Sequence, residues 1–283
     1  MPRISLSTWS LFLRMDYLQA MRFAIENGFQ GIEIWSNNFY FWPRTVAPDE
    51  IAAIRSMCEE NNIPLAVHFC TGANNLAEIN DGHLRESRNQ LKETIFLCEE
   101  IGADTVTVHP GMVPDLTSHT ESHLDPRFTK EALRREAIER FRESLAEAAD
   151  FAEDHGVVIG LENFSHVKGC IQSKYKDLIQ WVDTVNLPSL QITLDVGHAN
   201  LEEGIPKALE TFGHRIRHIH MNDNDGVSIN HGELGTGTID WKAMAPFLRQ
   251  FDGMLSLEVL VRKDLEGAVL RSKAFLEKLL AED

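Results

Sequence analysis

The stretch TKEALRREAIERFRESLAEAADFAEDHGVVIGLENF, residues 129–164, contains one complete step of the fold. Residues 129–156 carry a long helical pattern, charged on one face, and the pattern stops at a glycine, a residue that ends helices without steric cost. The period then changes. VVIGLE (157–162) is an apolar run of strand length, and it closes on a carboxylate.

The same step recurs in both directions along the chain. The apolar runs are ISLS (4–7), GIEIW (31–35), PLAVHF (64–69), TVTVH (105–109), VVIGLE (157–162), LQITLD (190–195), IRHIH (216–220) and LSLEV (255–259). Amphipathic segments of helical length lie between them, among them MDYLQAMRFAIENG (15–28) and, at the end, DLEGAVLRSKAFLEKLL (264–280). This alternation predicts an α/β fold, a single-domain (β/α)8 TIM barrel over residues 1–283. No glycine-rich dinucleotide fingerprint follows the first run, which speaks against a doubly wound open sheet.

Composition narrows the function classes. The chain has 283 residues, 43% hydrophobic and 25% charged, with a formal net charge of −16. So acidic a surface repels a phosphate backbone and disfavours duplex nucleic acid as a partner. Cys58, Cys70, Cys98 and Cys170 show no paired spacing and read as reduced thiols of a cytoplasmic protein. The start MPRISLSTWS lacks the apolar run of a signal peptide, and no stretch approaches the ~18 apolar residues of a membrane span.

Barrels of this kind work at the C-terminal ends of their strands. Reading the last residues of successive runs gives His68, His109, Glu162, Asp195, His220 and Glu258, with Glu33 inside the second run. Each histidine alone reads as loop-boundary polarity. Carboxylates after apolar runs are another matter, because a buried unpaired carboxylate is costly. Glu162, Glu258 and Asp195 converging on one mouth repel one another, and a divalent cation removes that repulsion. A mixed oxygen and nitrogen set suits Zn²⁺, Mn²⁺, Co²⁺ or Mg²⁺, and the histidine favours a transition metal.

Strand geometry separates the two histidines of RHIH. Side chains two apart share a face about 6.6 Å apart along the strand. His218 and His220 therefore point the same way, inward. His220 lies at the mouth within reach of a cation; His218 lies deeper and reads as a core residue or a support for the ligands. Asn222 and Asp223 open the next loop, where they can orient ligands or bind substrate hydroxyls.

The segments LENF, LDVGHAN, HIHMND, HGELGTGTIDW and LSLEV resemble the xylose-isomerase-like TIM barrels, a group of sugar and sugar-phosphate isomerases and epimerases that also includes the endonuclease-four type of abasic-site nuclease. The resemblance spans nearly the whole chain. It implies that Glu162, Asp195, His220 and Glu258 bind one divalent metal and that His198 faces the substrate. In the nuclease branch, histidines at the ends of strands three and four hold a second metal bridged by the strand-five glutamate; His68, His109 and Glu162 match. That branch's third metal uses positions matched here by His198 and His231, but Ile229 stands where it needs an aspartate.

The first expectation is therefore a metal-dependent isomerase or epimerase of a small sugar, sugar phosphate or related polyol or keto compound. Metal charge would stabilise an enediolate, and the resemblance implies Glu162 and Glu258 as acid and base, with His198 at the oxygen that gains charge. The second is a two-metal hydrolase or phosphodiesterase using His68 and His109. A non-catalytic binding barrel fits less well, since it leaves the buried carboxylates without a use.

Substrate contacts are expected from His68, His109, Asn222, His231 and Arg262, the last able to meet a carboxylate or phosphate. Asn74 and Asn75 are further candidates for hydroxyls, while Trp9, Trp35 and Phe69 can wall a pocket or pack in the core. Cys70 lacks a neighbouring base and is not read as a nucleophile. The expected partner is a small molecule, with a homo-oligomer left open.

Overall fold

The computed structural model describes residues 2–69, 74–113, 129–164 and 167–282. Eight parallel strands close into a barrel in sequence order: β1 (Arg3–Ser7), β2 (Gly31–Trp35), β3 (Leu65–His68), β4 (Ala103–Val108), β5 (Val158–Glu162), β6 (Leu190–Asp195), β7 (Ile216–Met221) and β8 (Met254–Leu257). Helices fill the crossovers: α1 (Tyr17–Glu26), α2 (Pro48–Asn61), α3 (Asp81–Ile101), α4 (Lys130–Asp154), α5 (Tyr175–Val185), α6 (Val196–Leu201), α7 (Ile205–Phe212), α8 (Trp241–Gln250) and α9 (Leu265–Ala281). The (β/α)8 barrel expected from the alternation is the observed fold.

Local chemistry explains the boundaries. The Thr129 side chain accepts from the Ala132 amide and caps α4, while Gly156 at φ 66° turns the chain into β5. Leu133, Ala137, Phe141, Leu145 and Ala152 form the buried stripe of α4 at helical spacing. Asp264 caps α9 by accepting from Gly267 N. The strands are slightly shorter than the apolar runs at two places that matter: β4 stops at Val108 and β8 at Leu257. His109 and Glu258 therefore stand one residue past their strands, on the rim.

Alternation along the strands sorts the residues into two layers. Ile32 and Ile34, Ile159 and Leu161, Ile192 and Leu194 are fully buried and belong to the apolar core shared with the helices. Each such side chain stabilises the fold by about 1.5–3 kcal/mol. The other face of the strands points into the barrel and is polar. There Thr107 meets Thr193 at 3.2 Å, and Glu33 receives hydrogen bonds from Thr107 and Ser256. Gly160 keeps this layer closed: a Cβ on it would stand 2.1 Å from Thr193 Oγ1. The barrel axis is thus hydrogen-bonded, and the aliphatic packing surrounds it.

Candidate metal centre and active site

At the C-terminal mouth, the strand-end residues meet around Glu162. His109 Nε2 lies 2.8 Å and His68 Nε2 3.3 Å from Glu162 Oε2. His198 Nδ1 lies 3.2 Å and His220 Nδ1 3.4 Å from Oε1. His220 Nδ1 is also 3.5 Å from Glu258 Oε2 and 4.0 Å from Asp195 Oδ2. Three carboxylates from β5, β6 and the end of β8 thus face one imidazole nitrogen. Metal bonds of about 2.1 Å in a tetrahedral site leave ligand atoms roughly 3.4 Å apart, so the spacing around His220 Nδ1 suits a cation.

Hydrogen bonding points the same way. Glu162 Oε1 and Oε2, His220 Nδ1 and His231 Nδ1 are buried without a hydrogen bond of acceptable geometry. Buried polar atoms are rarely left so, and several converging on one point mark the place of a missing partner. Among the described residues, Glu162, Asp195 and His220 offer ligand atoms within 4.8 Å of one another, as do His68, His109 and Glu162, then His68, His220 and Glu258, then Asp195, His231 and Glu258, and, deeper in the barrel, Glu33, His218 and His220. Glu162, Asp195 and Glu258 each face His220 Nδ1, so this donor set could hold an ion, and His68 and His109 offer another position beside Glu162.

Asp195 is held rigidly. It caps α6, its Oδ1 accepting from the His198 amide at 2.6 Å, while Oδ2 accepts from Asn222 Nδ2 at 2.9 Å. Its backbone N–H donates to Asn163 Oδ1, and Asn163 Nδ2 donates to the Asp195 carbonyl. Gly197 makes room for Asn222: a Cβ there would lie 1.8 Å from Asn222 Oδ1. Asn222, expected to meet substrate, is buried and uses its amide on Asp195.

The side chains alone set strongly shifted protonation equilibria. Burial pushes the Glu162 carboxyl up, but His109 and His220 outweigh it and hold it well below the usual range. Burial wins at Glu258, raising it to about 7 against the pull of His220 and His68. At His220, burial favours the neutral ring, yet Glu258, Glu33 and Glu162 together raise its pKa well above the ordinary value. Burial lowers His231 to about 4.

The remaining expected residues separate. His231 reaches the site on the loop after β7, at φ 43°, with its ring 4.7 Å from Trp9 and 5.7 Å from His198. Trp9, Phe12 and Trp35 form a chain of ring contacts on that side, and Phe164 packs on His109 at 4.4 Å and His198 at 5.1 Å on the other. Phe164 was not legible as a site residue, although it directly follows the LEN of strand five. Asn75 spends its amide on Met112 and Ala77. Phe69, with Asn74 and Asn75, lines a cavity of about 210 Å³ that reaches His109 and Phe164. Arg262 lies exposed on the turn after Glu258, and no hydrogen bond or ion pair ties it to the cluster among the described residues. Cys70 lies outside the described residues.

Two residues take roles that the sequence did not reveal. Glu33, fully buried on β2, accepts from His220 Nε2 at 3.0 Å and lies 3.4 Å from His218 Nε2. Asp223 organises the loop after β7. Its Oδ1 accepts from the amides of Asn224 and Ile239, and its Oδ2 from the Gly235 amide and Trp241 Nε1.

A closed β/α barrel with histidines and carboxylates gathered at its C-terminal mouth defines the class. Residues 21–279 match the model of the xylose isomerase-like TIM barrel family, and the chain belongs to that family. Fructoselysine 3-epimerase of Shigella flexneri is 24% identical, with 95% of each chain covered. A probable endonuclease 4 of Thermoplasma acidophilum is 26% identical over 75% of this chain and 73% of its own. Among solved structures, a D-tagatose 3-epimerase-like protein superposes with a TM-score of 0.82 at 24% identity, covering 98% of this chain and 97% of its own. An IolI protein with a bound zinc atom gives 0.78 at 19% identity, covering 99% and 98%. No helix among the described residues is long and apolar enough to cross a membrane.

Proposed function

We propose that the chain is a divalent-metal-dependent isomerase or epimerase of a small sugar, sugar phosphate or related polyol or keto compound. One observation carries the reading: Glu162, Asp195 and Glu258 converge on His220 Nδ1, and both Glu162 oxygens and that nitrogen lack hydrogen bonds. The sugar 3-epimerases among the relatives and structural neighbours support the substrate class. A divalent cation bound by these four residues, Zn²⁺ or Mn²⁺ before Mg²⁺ or Co²⁺, supplies positive charge beside a substrate carbonyl and its neighbouring hydroxyl.

The side chains supply the rest. In this reading Glu162, at the end of β5, and Glu258, one residue past β8, act as the acid and base that the family resemblance implies, one taking the carbon-bound proton and the other returning it. His198, anchored through Nδ1 to the Asn163 carbonyl at 3.0 Å, presents its ring to the oxygen that gains charge. His68, His109 and His231 border the substrate, and Trp9 and Phe164 wall it from opposite sides.

His68 and His109, both beside Glu162 Oε2, favour a second reading as a two-metal phosphoesterase. The net charge of −16 argues against long DNA as its substrate. Solvent deuterium exchange separates the two. The metal-loaded chain is expected to put deuterium on the carbon next to the carbonyl of a ketohexose, and Glu258→Gln to abolish it. Hydrolysis of a generic phosphodiester without such exchange would replace the epimerase reading with the phosphoesterase one.

A further inference from the structure

The mouth of the barrel does not explain Glu33. It is fully buried in the polar layer beneath the site, two residues before the end of β2. Packing alone gives no reason for a carboxylate there, since an apolar residue of similar volume costs less to bury. Its contacts are directional. Oε1 lies 3.0 Å from His220 Nε2, 3.4 Å from His218 Nε2 and 3.3 Å from Thr107 Oγ1, and Ser256 Oγ donates to Oε2 at 3.2 Å. Thr107 and Ser256 can donate to it, so the carboxylate is fixed from β4 and β8.

The two faces of the His220 ring are therefore used differently. Nε2 points down to Glu33, and Nδ1 points up to Glu162, Asp195 and Glu258. A neutral imidazole carries one proton, and the hydrogen bond made by one nitrogen decides which nitrogen keeps a free lone pair. We infer that Glu33 is the positioning residue of the metal centre: by accepting the Nε2–H of His220, it fixes the tautomer whose Nδ1 faces the cation and lends negative charge through the ring to that ligand.

This inference rests on the proposed metal centre. A carboxylate behind a ligating histidine raises its basicity and locks its orientation, and removing such a partner weakens metal binding 10- to 100-fold. His218 Nε2 lies 3.4 Å from the same carboxylate oxygen on the side away from the mouth.

The experiment is a Zn²⁺ competition titration with a chromophoric chelator on the full chain, Glu33→Gln and Glu33→Ala. Metal-free melting curves test whether each variant folds. The inference expects Glu33→Ala to bind Zn²⁺ about 10- to 100-fold more weakly and Glu33→Gln, which keeps an acceptor oxygen but no charge, to fall between it and the wild type. A purely structural role would not move a second readout, ¹⁵N NMR of histidine-labelled, zinc-loaded protein. The wild type should show His220 metallated at Nδ1 with a protected Nε2 proton, and Glu33→Gln should keep the tautomer but lose part of the protection. If Glu33→Ala does not fold, Glu33→Gln and the spectrum decide. Folded variants with wild-type zinc affinity, or a His220 metallated at Nε2, overturn the inference and leave the metal centre standing. A wild type that takes up no Zn²⁺ overturns both.

Discussion

Glu162 and Asp223 are both buried carboxylates at the C-terminal end of the barrel, yet they are satisfied in opposite ways. Asp223 receives four donors, two on each oxygen, all from its own neighbourhood in the chain. Glu162 has four imidazole nitrogens between 2.8 and 3.4 Å away, contributed by four other segments, and neither oxygen has a properly formed hydrogen bond. A carboxylate whose lone pairs are filled holds a structure together. One whose oxygens sit among imidazole nitrogens that can themselves ligate a cation, with no well-aligned hydrogen bond, is suited to receive something else. The contrast marks where the fold ends and the chemistry begins.

Substitution of the two residues should separate these roles. Glu162→Gln keeps the volume and removes the charge. It should lower kcat/KM by about a thousandfold or more and abolish stoichiometric metal uptake, while the melting temperature of the metal-free protein moves little. Steady-state kinetics, metal analysis and calorimetry check the three parts; a variant that keeps its metal and its activity removes Glu162 from the centre. Asp223→Ala should do the reverse. Four donors lose their acceptor, costing roughly 3 kcal/mol and lowering the melting temperature by roughly 5–10 °C, with metal stoichiometry retained in the folded protein. A variant as stable as the wild type would show that the loop does not depend on this carboxylate.

A smaller effect comes from Glu202, just beyond α6, whose carboxyl burial raises to about 8. A folded-state value raised above the unfolded one means that the fold favours the neutral acid. The stability this contributes is full below the unfolded carboxylate value near 4.5 and is lost as pH rises through about 8. Glu202→Gln should therefore flatten the decline in stability between about pH 5 and 8, read from denaturant midpoints across that range. An unchanged slope would assign the decline to other groups.

The same contrast explains what the sequence disclosed. The runs from ISLS to LSLEV map onto β1 to β8 because strand period and length are local properties, and the rim residues follow because each ends its run. Glu33 carried no such signal: its partners His218 and His220 lie about 185 positions away in the chain, and only closure of the barrel brings them together. Asn222 and Asp223 read alike, as polar residues opening a loop. Their division of labour, one bracing Asp195 and the other tying together the loop that carries His231, depends on hydrogen bonds that exist only once that loop has folded. The short α6 is hidden for a related reason, since the residue that caps it is Asp195, which the strand reading had already assigned to the rim.

The most direct measurement is the number and position of metal ions in the protein reconstituted with Zn²⁺ or Mn²⁺, by elemental analysis and anomalous scattering. The account predicts one ion per chain bound by Glu162, Asp195, His220 Nδ1 and Glu258. No ion after reconstitution, or an ion held elsewhere with His220 Nδ1 free, would contradict it.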